Sequence, residues 1–223
     1  MAVRPGPRAP MRILVRDMTH AFEPDNEKWD AWKPQEVARR LADVDVPWYV
    51  AAGWAIDLFL GEERREHEDL EIAVPRDRLG EVLAVFDECE LFAAGVPGPG
   101  LVTPLAHVDE TCRSYHQTWV RERRSGLWRL DVFREPADGD AWICRRDSSI
   151  RLPYARVIEW TSDGIPYGAP EIVLLFKGKH ARPKDDEDFE AVLPRLAPAR
   201  RRWLAAALAR VHPGHRWLDA LSG

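Results

Sequence analysis

The sequence predicts an α/β (α+β) fold: a mixed twisted sheet with helices packed on it, followed by a C-terminal helical part. Three observations carry this. Short apolar runs of strand length alternate with helix-period segments from Pro34 to Arg146. From Pro170 the pattern changes to helices, several opened by a proline. The 223 residues are 45% hydrophobic and include ten tryptophans, enough for a substantial core and unlike a disordered chain.

The first helix is expected from Pro34 to about Asp43, with Val37, Leu41 and Val44 on its buried face. Pro47 to Ala51 reads as a short buried strand, and Gly53 starts a helix that Gly61 ends. Leu70 to Val74 is the next strand, stopped by Pro75. Arg76 to Glu88 reads as a helix with Leu79, Val82, Leu83 and Phe86 inward. Leu91 to Thr103 is expected to give a strand, a Gly/Pro loop and a second short strand. Tyr115 to Glu122 and Trp128 to Phe133 form a hairpin around Arg124-Ser125-Gly126. Trp142 to Arg146 adds a further strand. Helices follow at 170–179, 186–193, 198–211 and after Pro213-Gly214. The expected organisation is a flexible head (1–28), an α/β core (29–165) and a helical part packed on it (166–223).

Composition excludes several classes. With 32 basic and 37 acidic residues the net charge is −5, so no global field draws in nucleic acid. Cys89, Cys112 and Cys144 are odd in number and widely spaced, which fits free thiols in a reducing compartment. The longest apolar stretch, Val46 to Leu60, contains Pro47, Gly53 and Asp57 and falls short of the ~20 residues that span a bilayer. The head has no apolar run long enough for a signal peptide. A cytoplasmic protein without a membrane partner is expected.

Chemistry concentrates between Ala52 and Val74. Residues two apart on a strand share a face. Asp69 and Glu71 therefore point together while Leu70, Ile72 and Val74 face the core. Adjacent acids repel each other, and a hard cation such as Mg²⁺ removes the repulsion. Asp131 sits between apolar Leu130 and Val132 on a later strand, where an acid needs a partner or a metal. If the two strands are neighbours, three carboxylates converge. They can hold two Mg²⁺ ions, or leave Asp131 to accept a proton. The helix after Gly53 offers unpaired N–H groups to phosphate.

These residues resemble the nucleotidyltransferases of the DNA polymerase beta superfamily, in particular the small bacterial aminoglycoside and lincosamide nucleotidyltransferases. Those carry Gly-Gly-Trp-Ala-Ile-Asp, then Arg-x-His, then Asp-x-Asp. Here the matching residues are Ala52, Gly53, Trp54, Ala55, Ile56 and Asp57, then Arg65 and His67, then Asp69 and Glu71. Arg129-Leu-Asp131-Val-Phe133 matches the third carboxylate. The segments 170–177 and 182–188 are also similar, and relatives use a helix lysine near the triphosphate and a downstream Lys-Asp pair.

The resemblance implies Mg²⁺-dependent transfer of a nucleoside monophosphate, from ATP or another nucleoside triphosphate, to a hydroxyl of a small antibiotic-like or sugar acceptor, with release of pyrophosphate. It implies metal binding by Asp69, Glu71 and Asp131, with Asp131 as base, and nucleotide contacts from Ala52, Gly53, Trp54, Arg65, His67 and Lys177. Ala52 and Glu71 depart from the usual glycine and aspartate. Three other readings stay open: a tRNA 3′ end as acceptor, a weakly active nucleotide-binding module, and a metal-dependent phosphoester hydrolase. Asp57 is expected to be structural, pairing with Arg64 or Arg65. Arg200 to Arg202 are expected on a solvated helix face.

Overall fold

The computed structural model describes residues 20–108 and 115–222. Most of the expected head and Cys112 therefore lie outside the described residues. In chain order the elements are α1 (Pro34–Arg40), β1 (Tyr49–Val50), α2 (Ala52–Leu60), β2 (Glu71–Pro75), α3 (Leu79–Leu83), β3 (Cys89–Ala94) and β4 (Val102–Pro104). Then come β5 (Gln117–Glu122), β6 (Trp128–Glu135), β7 (Ala137–Asp138), β8 (Ala141–Ile143), β9 (Arg151–Pro153), α4 (Tyr154–Val157), β10 (Ile158–Trp160) and β11 (Pro166–Gly168). The chain finishes with α5 (Pro170–Lys177), α6 (Pro183–Val192), α7 (Pro198–Val211) and α8 (Trp217–Leu221).

The main sheet has eight strands in the order β10-β11-β1-β2-β6-β5-β3-β4, and β7-β8-β9 form a small second sheet. The main sheet is mixed. β1 runs parallel to β11 and β2 parallel to β6, while β1–β2 and β5–β6 are antiparallel. Ile72, Val74, Leu130 and Val132 are fully buried, as alternation along β2 and β6 requires. The C-terminal helices close over α2, which packs against α5, α6 and β11.

Three expected elements differ. The helix expected over 76–88 is a 3₁₀ turn (Arg76–Arg78) followed by the short α3. Phe86 turns back through a hydrogen bond to Leu83 O, which frees Cys89 to start β3. The strand expected at 142–146 ends at Ile143, because Cys144 to Asp147 turns to pair Cys144 N–H with Ile150 O. β11, with Pro166 and Gly168, carries breakers that hide it from periodicity. It places a strand beside β1 from a segment expected to be helical, so the sheet continues past residue 165.

Candidate active site

β2 and β6 decide the geometry. Their parallel register sets Glu71 opposite Asp131, and Asp131 N–H donates to Leu70 O at 2.9 Å. Neighbouring strands lie about 4.8 Å apart, so two acids distant in sequence become neighbours. Asp69 precedes β2 and stands with Glu71 on the wall of a cavity of about 330 Å³.

The acids strain one another. Burial pushes the Glu71 carboxyl well up, and the charges of Asp69 and Asp131 push it further, against Lys177 and Lys184. Burial also raises Asp69. Asp131 is 3% exposed. Burial, aided by the charge of Asp69, lifts its carboxyl to about 8, although a Gln117 hydrogen bond opposes the shift. One Asp131 oxygen, Oδ2, accepts that bond from Gln117 Nε2, while Oδ1 is buried without a partner. A buried carboxylate oxygen left unsatisfied is a standing cost that a cation would remove.

Among the described residues no cluster of three or more His, Cys, Asp and Glu forms a ready-made metal cage. Mg²⁺ seldom uses one. It is held by one or two carboxylates together with waters and substrate phosphates. The acid pair, the neighbouring Asp131 and its orphaned oxygen fit that donor chemistry.

The opposite wall is the start of α2. No side chain caps this helix. Ala52 and Gly53 line the cavity, so unpaired amide groups and a positive helix end face it. Ala52 adopts φ +48°, the left-handed region a glycine would occupy without strain. Gly53 is required for a different approach than that of phosphate alone. A Cβ there would stand 2.5 Å from Arg65 Nη2 and 2.9 Å from His67 Cε1.

His67 and Arg65 line the cavity and buttress its floor. His67 Nε2 lies 2.7 Å from Asp57 Oδ2, and its ring stacks on Trp54 at 4.4 Å. Asp57 Oδ2 also accepts the Arg64 backbone N–H at 3.1 Å. The buried Asp57 thus ties the 61–67 loop to α2 through His67 and the Arg64 backbone, whereas the Arg64 and Arg65 side chains expected to pair with it turn to Asp188. Trp54 is placed differently from expectation. Its ring is buried against His67, with Lys33 Nζ 4.5 Å above it, and it is not among the residues lining the cavity. Asp131 likewise lies behind the cavity wall.

Lys177 reaches the cavity from the end of α5 but is already paired, 3.1 Å from Asp185 Oδ1 and 2.8 Å from Asp188 Oδ2. Burial works against the Asp185 charge, yet Arg182 and Lys177 outweigh it and hold the carboxyl at about 2. Asp188 also meets Arg64 and Arg65. Arg182 and Lys184 add two further cations to the cavity wall. Neither was singled out in the sequence as a nucleotide contact, although Arg182-Pro-Lys184 at a helix start was the available signal. Gln117 had no signal, because its partner depends on strand register. Arg200 and Arg201 depart from the expected solvated face: Arg200 pairs with Glu159 and Glu171, and Arg201 donates to Leu193 O and Leu196 O.

Residues 35–93, from α1 into β3, match the family model described as aminoglycoside-2''-adenylyltransferase. Two solved structures of ANT(2'')-Ia superpose with TM-scores of 0.53. The solution structure of this antibiotic-resistance factor is 15% identical over 83% of this chain and 92% of its own. The crystal structure, in complex with adenylyl-2''-tobramycin, is 16% identical over 79% and 95%. This is a nucleotidyltransferase fold. The lincomycin-bound lincosamide adenylyltransferase LnuA superposes over 71% of this chain and 92% of its own, with 16% identity and a TM-score of 0.49. No curated protein sequence matches significantly. Within the nucleotidyltransferase fold, the matched stretch carries Gly53, Asp69 and Glu71, and the third acid lies outside it on β6.

Proposed function

We propose that this protein transfers a nucleoside monophosphate from a nucleoside triphosphate to a hydroxyl of a small, antibiotic-like or sugar acceptor. The observation that carries the reading is the pairing of Glu71 with Asp131, beside Asp69, at a cavity walled by the start of α2 and by cations.

In this reading Asp69, Glu71 and Asp131 hold Mg²⁺. The chemistry such ions supply is neutralisation of the triphosphate and polarisation of the attacked phosphorus. The start of α2 holds the phosphate chain through backbone N–H groups. Lys184, exposed on the cavity wall, acts on Asp69 and Glu71 and is available to the phosphates, and Lys177 lines the same cavity. The acceptor oxygen bonds to the α-phosphorus, the bond to the β-phosphate oxygen breaks, and pyrophosphate leaves. The hydroxyl proton passes to Asp131.

A small acceptor is favoured over tRNA because three of the four arginines at 195 and 200–202 that would greet a polyanion are occupied. Arg195 donates to Leu60 O at 2.6 Å, and Arg200 and Arg201 are engaged within the fold. Among the described residues no helix is long and apolar enough to cross a membrane.

The test is a pyrophosphate-release screen of each nucleoside triphosphate against a panel of hydroxylated antibiotics and sugars. Asp69→Ala and Asp131→Ala are expected to abolish release while the fold persists. Activity that survives both substitutions refutes the mechanism, and inorganic phosphate in place of pyrophosphate identifies a hydrolase.

A further inference from the structure

Asp131 is the least accessible of the three acids; its Oδ2 accepts from the Gln117 amide, and the Trp119 indole N–H also acts on the carboxyl. Gln117 and Trp119 are two apart on β5 and share a face. Trp119 is the direct cross-strand partner of Asp131, and Gln117 pairs with Phe133. The glutamine therefore reaches Asp131 along the diagonal of the ladder, a span open to a long side chain. Trp119 places a buried indole N–H on the same face, where it acts with the Gln117 amide against the upward shift of the Asp131 carboxyl. The result is asymmetric: Oδ2 is tied and Oδ1 is not.

The chemistry of the partner matters. An arginine or lysine here would neutralise Asp131 and repel a cation. A second carboxylate would add repulsion to an acid already crowded by Asp69 and Glu71. A neutral amide donor fixes the carboxyl plane and leaves its charge free. Partners of this kind orient metal ligands and general bases in many enzymes.

We infer that Gln117 is a positioning residue for the proposed reaction, holding Asp131 so that Oδ1 is the oxygen presented to the metal and the acceptor proton. The inference rests on the proposed function, and its test separates the two. Mn²⁺ binding is measured by paramagnetic resonance on the wild-type chain, Gln117→Met, Asp131→Asn and the double variant, with thermal melts as a fold check. Gln117→Met is close in shape and lacks the donor. It is expected to weaken Mn²⁺ about 10-fold or more, and the double variant to bind no more weakly than Asp131→Asn alone, because both changes act through one carboxylate. In the pyrophosphate assay kcat falls by about 10–100-fold with the nucleotide KM little changed, a split that general loosening of β5 would not give. Wild-type Mn²⁺ affinity and kcat in Gln117→Met, beside a defective Asp131→Asn, overturn the positioning role and leave the proposed function standing. A wild-type chain that neither binds Mn²⁺ nor releases pyrophosphate overturns both.

Discussion

Glu71 and Asp131 face each other across a parallel strand pair, where burial above all, and neighbouring acidic charge after it, raises both carboxyls. Asp131 has a folded value of about 8 against an ordinary 3.8, and Glu71 is raised as well. A raised folded value means the folded state keeps protons that the unfolded chain releases. Stability is then fully present below the unfolded value and is lost as pH rises through the folded one.

The first prediction follows from that sign. Between about pH 4 and 8, the unfolded and folded values of Asp131, its carboxyl makes the unliganded protein lose stability as pH rises, and the slope fades above pH 8; each ~1 kcal/mol lowers Tm by roughly 2–4 °C in a chain of this size. His116, pushed down to about 4 by burial and by Arg145 from an ordinary 6.5, contributes the opposite slope between those values, so the loss is read between about pH 7 and 8. Asp131→Asn flattens the slope, and saturating Mg²⁺ with nucleotide does so in the wild type. A slope unchanged by Asp131→Asn, read by calorimetry, refutes the assignment.

Ala52→Gly relieves the residue at φ +48°. A non-glycine residue in the left-handed region costs about 1–2 kcal/mol, and added unfolded-state freedom offsets part of it. The expected net gain is about 1 kcal/mol, seen as a higher urea midpoint. A lower midpoint contradicts it.

Gly53→Ala has the opposite effect. The Arg65 guanidinium can swing aside, but the His67 ring is pinned between Asp57 and Trp54. Overpacking of this kind costs about 1–3 kcal/mol. Unfolding curves and nucleotide KM are both expected to worsen.

The two lysines separate in their effects. Lys177, with its side chain 8% exposed, is the counter-ion of buried Asp185 and Asp188. Lys177→Met removes the buried cation that both carboxylates share, leaving Asp185 to Arg182 and Asp188 to Arg64 and Arg65, at a cost of about 1–3 kcal/mol. Lys184→Met, on the exposed wall, leaves stability within about 0.5 kcal/mol and raises the nucleotide KM. Equal melting losses in the two variants would refute this division of labour.

Much of this was legible in the residues. The Asp69-Leu70-Glu71 spacing at the entry to β2 implied a paired-acid face by alternation, and Gly61 at φ +79° ends α2 as its position implied. Less visible was what Gly53 and Trp54 do. A glycine before a helix suggests phosphate, whereas the fold also presses the 65–67 loop onto it.

By itself the sequence determined the element types around the site, the acid pair and the helix start beside it, because these follow from spacing within a few residues. Only the tertiary structure decided that β6 lies parallel to β2, which brings Asp131 to Glu71, and that β5 lays Gln117 against it. Strand order and register are set by packing of the whole sheet, and no local pattern encodes which distant strand becomes the neighbour.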